Sequence, residues 1–157
     1  MKVYLVRHGK AVPSSEDPAQ PLSKEGRGEI ENLARTLAYL NLRVGKIVHS
    51  GKLRAEQTAR IIADKISPAE GIEKADGLSP NDHIDQALEM IKKARADLMI
   101  VSHLPFLANL LEGLVRPAVT GELPSFGTGD LIVVESAGKD WRIFTRLGPW
   151  VKPLGSQ

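Results

Sequence analysis

The sequence predicts an α/β protein, a three-layer sandwich in which helices cover both faces of a mostly parallel sheet that ends in an antiparallel edge. Three observations carry this expectation. Strand-like and helix-like segments alternate along the chain, as they do when parallel strands are joined by crossover helices. Two short apolar runs, Val3 to Val6 and Leu98 to Val101, each end in polar residues, Arg7 and His8 in the first case, Ser102 and His103 in the second. Open α/β sheets place their chemistry at the carboxyl ends of such buried strands. The last two apolar segments are separated only by a tight connection around Ala137, Gly138 and Lys139, which suits an antiparallel hairpin.

The first strand, Lys2 to Val6, leads into a polar loop from Ala11 to Pro21, whose three prolines and two serines disfavour regular structure. Ser23 is the expected N-cap of the first helix, where Ile30, Leu33, Ala34, Leu37 and Leu40 recur on one face. Lys46 to His49 reads as the second strand. A helix from Leu53 to Ile66 follows, with Leu53, Ile62, Ala63 and Ile66 expected toward the core and Pro68 just beyond its end. Ile84, Ala87, Leu88 and Ile91 mark a third helix. Pro105 opens a fourth, since proline is tolerated in a first turn, and Phe106, Leu107, Leu110, Leu111 and Leu114 form its apolar face. Strands at Leu131 to Glu135 and Trp141 to Arg146 complete the sheet. One domain is expected over residues 1–152, with a frayed tail over 153–157.

Composition narrows the function classes. The 157 residues suffice for one compact domain with a substantial core, and 42% apolar with 25% charged residues is the balance of a soluble globular protein. No stretch reaches the length of a transmembrane helix, and Met1-Lys2-Val3 enters the first strand without the apolar region of a signal peptide, so a cytoplasmic location is expected. The lack of cysteine excludes disulfides, thiol nucleophiles and cysteine-ligated metals. A formal charge of +2, with no basic cluster interleaved with aromatics, argues against nucleic acid as a partner. Lys92, Lys93 and Arg95 read as a solvated helix face. No HExxH motif, acidic pair of metal-ligand spacing or Walker-type loop occurs, so neither metal nor cofactor is expected.

The residues at the strand ends point to phosphate. Histidine can attack phosphorus, the adjacent arginine can grip a phosphoryl oxygen, and Gly9 can let backbone and substrate approach closely. In Ser50 to Thr58, Arg54 falls in the first turn of a helix, where free N–H groups and the helix dipole favour an anion. An ion pair with Glu56 or Glu25 is the alternative use of Arg54. Ser102 either binds phosphate or ties down the turn before His103. These ends share one rim in a doubly wound sheet.

Together, Arg7-His8-Gly9, Leu53-Arg54-Ala55-Glu56-Gln57-Thr58 and Ser102-His103-Leu104-Pro105, with Pro21-Leu22-Ser23 and Gly26 between them, resemble the histidine phosphatase superfamily in its small SixA-type phosphohistidine phosphatase branch. The resemblance covers nearly the whole chain. It implies a phosphoglycerate-mutase-like fold and a metal-independent phosphatase in which His8 is the nucleophile and carries a phosphohistidine intermediate. Arg7, Arg54 and a protonated His103 would surround the phosphoryl group, and the neighbouring positive charge would keep His8 neutral. The implied partner is a phosphorylated protein, a histidine phosphotransfer domain of a two-component relay. Two positions depart from the branch: Gln20 stands where an arginine often precedes the Pro-Leu pair, and Gly51 stands where proline is common. The first would remove a supporting phosphate contact, and the second would loosen the turn before Arg54.

A phosphate ester needs a general acid for its leaving alkoxide. Many larger members of the superfamily supply an Asp or Glu, and in the stretch that the resemblance makes the corresponding one, Leu78 to Asp82, only Asp82 offers an acid, while it equally suits the cap of the third helix. An imidazole leaving group needs less help, which favours a P–N substrate. The alternatives are a phosphatase of small phosphate esters or phosphoserine and phosphothreonine proteins, and a non-catalytic phosphoprotein-binding module built on the same cationic rim. With no long insertion to cap it, the rim could admit a protein surface. Phe126 and Trp150 are either rim aromatics or core residues, His49 either approaches the site or packs at the sheet edge, and His83 is expected to be exposed.

Overall fold

A computed structural model describes residues 1–149. In chain order its elements are β1 (Lys2–Arg7), α1 (Lys24–Tyr39), β2 (Lys46–His49), α2 (Leu53–Ile66), β3 (Ile72–Lys74), α3 (Asp85–Lys93), β4 (Leu98–Ser102), α4 (Phe106–Val115), β5 (Leu131–Ala137) and β6 (Asp140–Leu147). They form one six-stranded sheet in the order β3-β2-β4-β1-β5-β6. β3, β2, β4 and β1 run parallel, while β5 and β6 supply the antiparallel edge. The predicted α/β sandwich is therefore the observed one.

Alternation along each strand sorts the core into two layers. Tyr4, Val6, Ile47, Met99 and Val101 face α1 and α2, against Ile30, Leu33, Ala55 and Ile62. Val3, Leu5, Val48, Leu98 and Ile100 face α3 and α4, against Ala87, Ile91, Phe106 and Leu110. The helix after β1 and the helix after β4 thus cover opposite faces. The two strands are neighbours, with Arg7 paired to Ser102 at their carboxyl ends, so the switch point of the topology opens beside the two polar sequences.

Several elements differ from expectation. β3 has no apolar run; only Ile72 is partly buried, because the strand lies at the sheet edge and pairs with β2 alone. The buried face of α2 is Ala55, Thr58, Ala59 and Ile62, whereas Leu53, Ala63 and Ile66 are half-buried. Small side chains there let α2 come close to the sheet and α1. Leu40 is the C-cap of α1 and is 56% exposed, since the helix ends one residue before it. Trp150 and the tail at 153–157 lie outside the described residues. Among those described, no helix is long and apolar enough to cross a membrane.

Candidate active site

The loop after β1 is clamped on three sides. His8 N–H donates to the Ser102 carbonyl at 3.0 Å, Arg7 N–H to the Asp130 carbonyl at 3.0 Å, and Gly129 N–H reaches back to the carbonyls of Arg7 and His8 at 3.1 and 3.0 Å. Thr58 ties this loop to α2: its hydroxyl accepts the Gly9 N–H at 3.0 Å and donates to the Arg54 carbonyl at 2.7 Å. One fully buried threonine therefore sets the loop carrying Arg7 and His8 against the turn carrying Arg54. Ser23 caps α1 as expected, accepting from Gly26 N–H at 3.0 Å, and also donates its backbone N–H to the Lys10 carbonyl at 2.9 Å. Gly26 is required by this docking, because a Cβ there would stand 2.0 Å from the Lys10 carbonyl oxygen.

His8 is 9% exposed, and its Nδ1 lies 2.7 Å from the Gly9 carbonyl. A carbonyl only accepts, so Nδ1 carries the proton and Nε2 keeps a bare lone pair. Burial pushes the His8 pKa down to about 4; the bond to Gly9 works against this, and the charges of Arg54 and Arg7 add to it. The nucleophile expected from sequence is thus neutral at physiological pH. The His103 ring lies 4.9 Å from that of His8, centroid to centroid. Burial, then the neighbouring His8, Arg54, Lys52 and Arg7, lower its pKa to about 3. Without a bound anion, a further positive charge in this cluster is unfavourable.

Arg7 is held by a neutral partner. Arg7 Nη1 donates to the Phe126 carbonyl at 2.9 Å, and Phe126 itself is a core residue with 3% exposure. Arg54 makes no ion pair among the described residues; Glu56 is taken by Arg60 and Glu25 by Lys10, each at 2.8 Å. His103 Nε2 is 2.6 Å from Ser50 Oγ, which also accepts the Lys52 N–H at 3.3 Å. Two buried nitrogens, Arg7 Nε and His103 Nδ1, have no hydrogen-bond partner among the described residues. Such groups are costly unless a ligand completes them.

The family model for the histidine phosphatase superfamily (branch 1) matches residues 3–83, the stretch that holds Arg7, His8 and Arg54. The chain belongs to this superfamily. It is 27% identical to the phosphohistidine phosphatase SixA of Escherichia coli (strain K12) over 137 residues, covering 84% of this chain and 83% of that protein. It is 30% identical over 122 residues to an uncharacterized protein of a Picosynechococcus strain, covering 73% of each. A solved structure of the protein histidine phosphatase SixA complexed with tungstate superposes with a TM-score of 0.83 at 23% identity, covering 95% of this chain and 97% of the other. The fold is accordingly phosphoglycerate-mutase-like, and the protein is a phosphatase of the histidine phosphatase type.

Around this histidine phosphatase centre, the other predicted residues take different places. Ser102 is fully buried and donates to the Leu78 carbonyl at 2.5 Å, so it ties down the loop before α3 and has no surface to offer phosphate. Gly9 likewise has its backbone groups engaged within the protein: its N–H by Thr58 and its carbonyl by His8, while a Cβ there would meet Ile30 Cγ1 at 2.7 Å. Its small size serves the packing of α1. Asp82 does not cap α3, whose N-cap is Ile84 with no side-chain bond; the Asp82 carboxylate accepts Ser79 N–H at 2.9 Å within its own exposed turn. His49 is buried and its Nδ1 accepts the Gly51 N–H at 3.1 Å, while His83 is exposed beside Asp85. That bond holds the turn at Gly51, where φ is +90°, so the turn is not loosened as expected; a proline could not adopt it. Gln20 also has positive φ and its amide reaches the Val12 carbonyl at 3.5 Å. Ser50 and Thr58 were not singled out from sequence as site residues, because one hydroxyl in a polar motif looks like any other until its partners are known. Among the described residues, no group of three or more His, Cys, Asp or Glu side chains is placed to hold a metal ion.

Proposed function

We propose that this histidine phosphatase hydrolyses phosphohistidine on a protein such as a histidine phosphotransfer domain, by way of a phosphoryl group carried on His8 and with no metal. The observation that supports this most directly is the neutral His8, its Nε2 lone pair free, set among Arg7, Arg54 and His103. In the first step Nε2 attacks phosphorus in line, and the P–N bond to the substrate imidazole breaks. The electron pair leaves with that imidazole, which takes a proton from solvent. Water then attacks the His8 phosphoramidate, inorganic phosphate departs, and His8 returns to its starting state.

Arg7 and Arg54 offset the charge on the equatorial oxygens, and the unpartnered Arg7 Nε gains an acceptor in a phosphoryl oxygen. His103 meets the substrate neutral. A phosphoryl dianion reverses the local field, so protonation of His103 becomes favourable only once substrate is bound. Asp82 spends its carboxylate on Ser79 in an exposed turn, which suits a leaving group that departs without a strong acid. The kinship with a phosphohistidine phosphatase over most of both chains adds weight to the P–N substrate.

The test is direct. Wild-type protein is mixed with a phosphotransfer domain carrying labelled phosphohistidine, with chelator present, and quenched without acid. Label should appear on His8 and be lost in His8→Ala. A wild type that binds the phosphoprotein yet never acquires label is a binding module, and comparable turnover of simple alkyl phosphates would remove the P–N preference.

A further inference from the structure

Gly51 is one of the two positions at which the chain departs from its branch, and the structure gives it a use. A Cβ there would stand 2.5 Å from Cε and 2.8 Å from Cδ of Lys74. The aliphatic stem of Lys74 therefore crosses the Gly51 backbone, in space that a side chain would fill. On one side of Gly51 is Ser50, in contact with His103; on the other is Lys52, whose charge is felt at His103. The pairing of His49 with Lys74 sets Lys74 at the carboxyl edge of the sheet, on the rim of the active site.

Both lysines are exposed, and neither makes an ion pair among the described residues, although nearby carboxylates are paired elsewhere: Glu56 with Arg60, and Glu73 with Lys46. The charge count leaves them over. A phosphoryl dianion is matched by Arg7 and Arg54, which leaves over the charge of Lys52, felt at His103, and that of Lys74, felt at His49 beside the same turn.

We propose that Lys52 and Lys74, set around the Gly51 turn, bind a second anionic group of the substrate: a carboxylate side chain next to the phosphorylated residue of the partner protein. This deepens the function proposed above and rests on the substrate being a phosphoprotein. Exposed ion pairs contribute little to folding; here they rank substrates, favouring phosphorylated residues with acidic neighbours.

The test compares two phosphohistidine peptides of equal length, one with glutamates beside the phosphohistidine and one with serines in their place. In the wild type the acidic peptide should have a kcat/KM about fivefold higher, the scale of two exposed ion pairs. That ratio should fall toward one in Lys52→Gln/Lys74→Gln and in wild type at high salt. Gly51→Ala, which displaces the Lys74 stem, should lower it as Lys74→Gln does. The ratio of dissociation constants of the same peptides for His8→Ala reads the preference without turnover. Failure of catalysis would therefore sink the phosphatase chemistry while still deciding the role of the lysines. Equal ratios in wild type and double variant overturn the proposal. So does a lysine-dependent preference confined to a small bisphosphate, which would assign the pair to a second phosphate instead of a protein carboxylate.

Discussion

Thr58→Val isolates the contact that joins the two halves of the site. The substitution keeps the shape of the side chain and removes the hydroxyl that accepts the Gly9 N–H at 3.0 Å and donates to the Arg54 carbonyl at 2.7 Å. Gly9 is buried, so its N–H finds no water in exchange. An unsatisfied buried donor costs about 1–3 kcal/mol, and the second bond adds about 0.5–1 kcal/mol. A total near 2–3 kcal/mol corresponds to a fall in Tm of about 5–10 °C for a chain of this size. Gly9 also anchors His8 through its carbonyl, so a shift of the loop misaligns Nε2, and the rate of His8 phosphorylation should fall by at least about tenfold. Urea denaturation and single-turnover labelling measure the two effects. Thr58→Ser is the control, since it keeps the hydroxyl and loses a methyl worth about 0.8 kcal/mol. If Thr58→Val proves as stable and as active as Thr58→Ser, the bridging role is wrong.

Gly26→Ala places a methyl 2.0 Å from the Lys10 carbonyl oxygen and should cost about 3 kcal/mol or more by urea melts. Gly28→Ala, two residues further along the helix with nothing within 4 Å, should instead stabilise by about 0.5–1 kcal/mol. The His8 pKa of about 4 lies below its ordinary 6.5. The unfolded chain therefore binds this proton first, and stability, full above pH 6.5, should decline as pH falls from there toward 4. Ring NMR titration should find the same low midpoint, and Arg54→Ala should raise it by removing a repelling charge; a His8 midpoint near 6.5 in the free protein would contradict the burial of this imidazole. Asp82→Asn should leave phosphohistidine turnover within about twofold, where loss of a general acid would cost about a hundredfold.

The sequence made much of this legible, for identifiable reasons. Arg7, His8, Arg54 and His103 each follow or open an element whose apolar pattern is plain, so their shared rim could be inferred from strand ends alone. Small and polar residues were read less well. Gly9 and Ser102 look like phosphate ligands in a motif, yet one is small to admit Ile30 and the other is buried to hold Leu78. β3 escaped notice because an edge strand of three residues needs no apolar run, and Asp82 reads as a helix cap because a turn and a cap use the same side chain.

What the amino-acid order determined by itself was periodicity: which segments bury a face, where they stop, and which reactive side chains stand at those stops. The tertiary structure decided everything that depends on through-space partners. It placed the proton of His8 on Nδ1 through the Gly9 carbonyl, lowered the pKa of His103 by burying it beside His8 and Arg54, and made Thr58 a bridge and Gly51 a bed for Lys74. Hydrogen-bond direction, desolvation and steric room are properties of neighbours in space, and residues distant along the chain become neighbours only when the sheet is assembled.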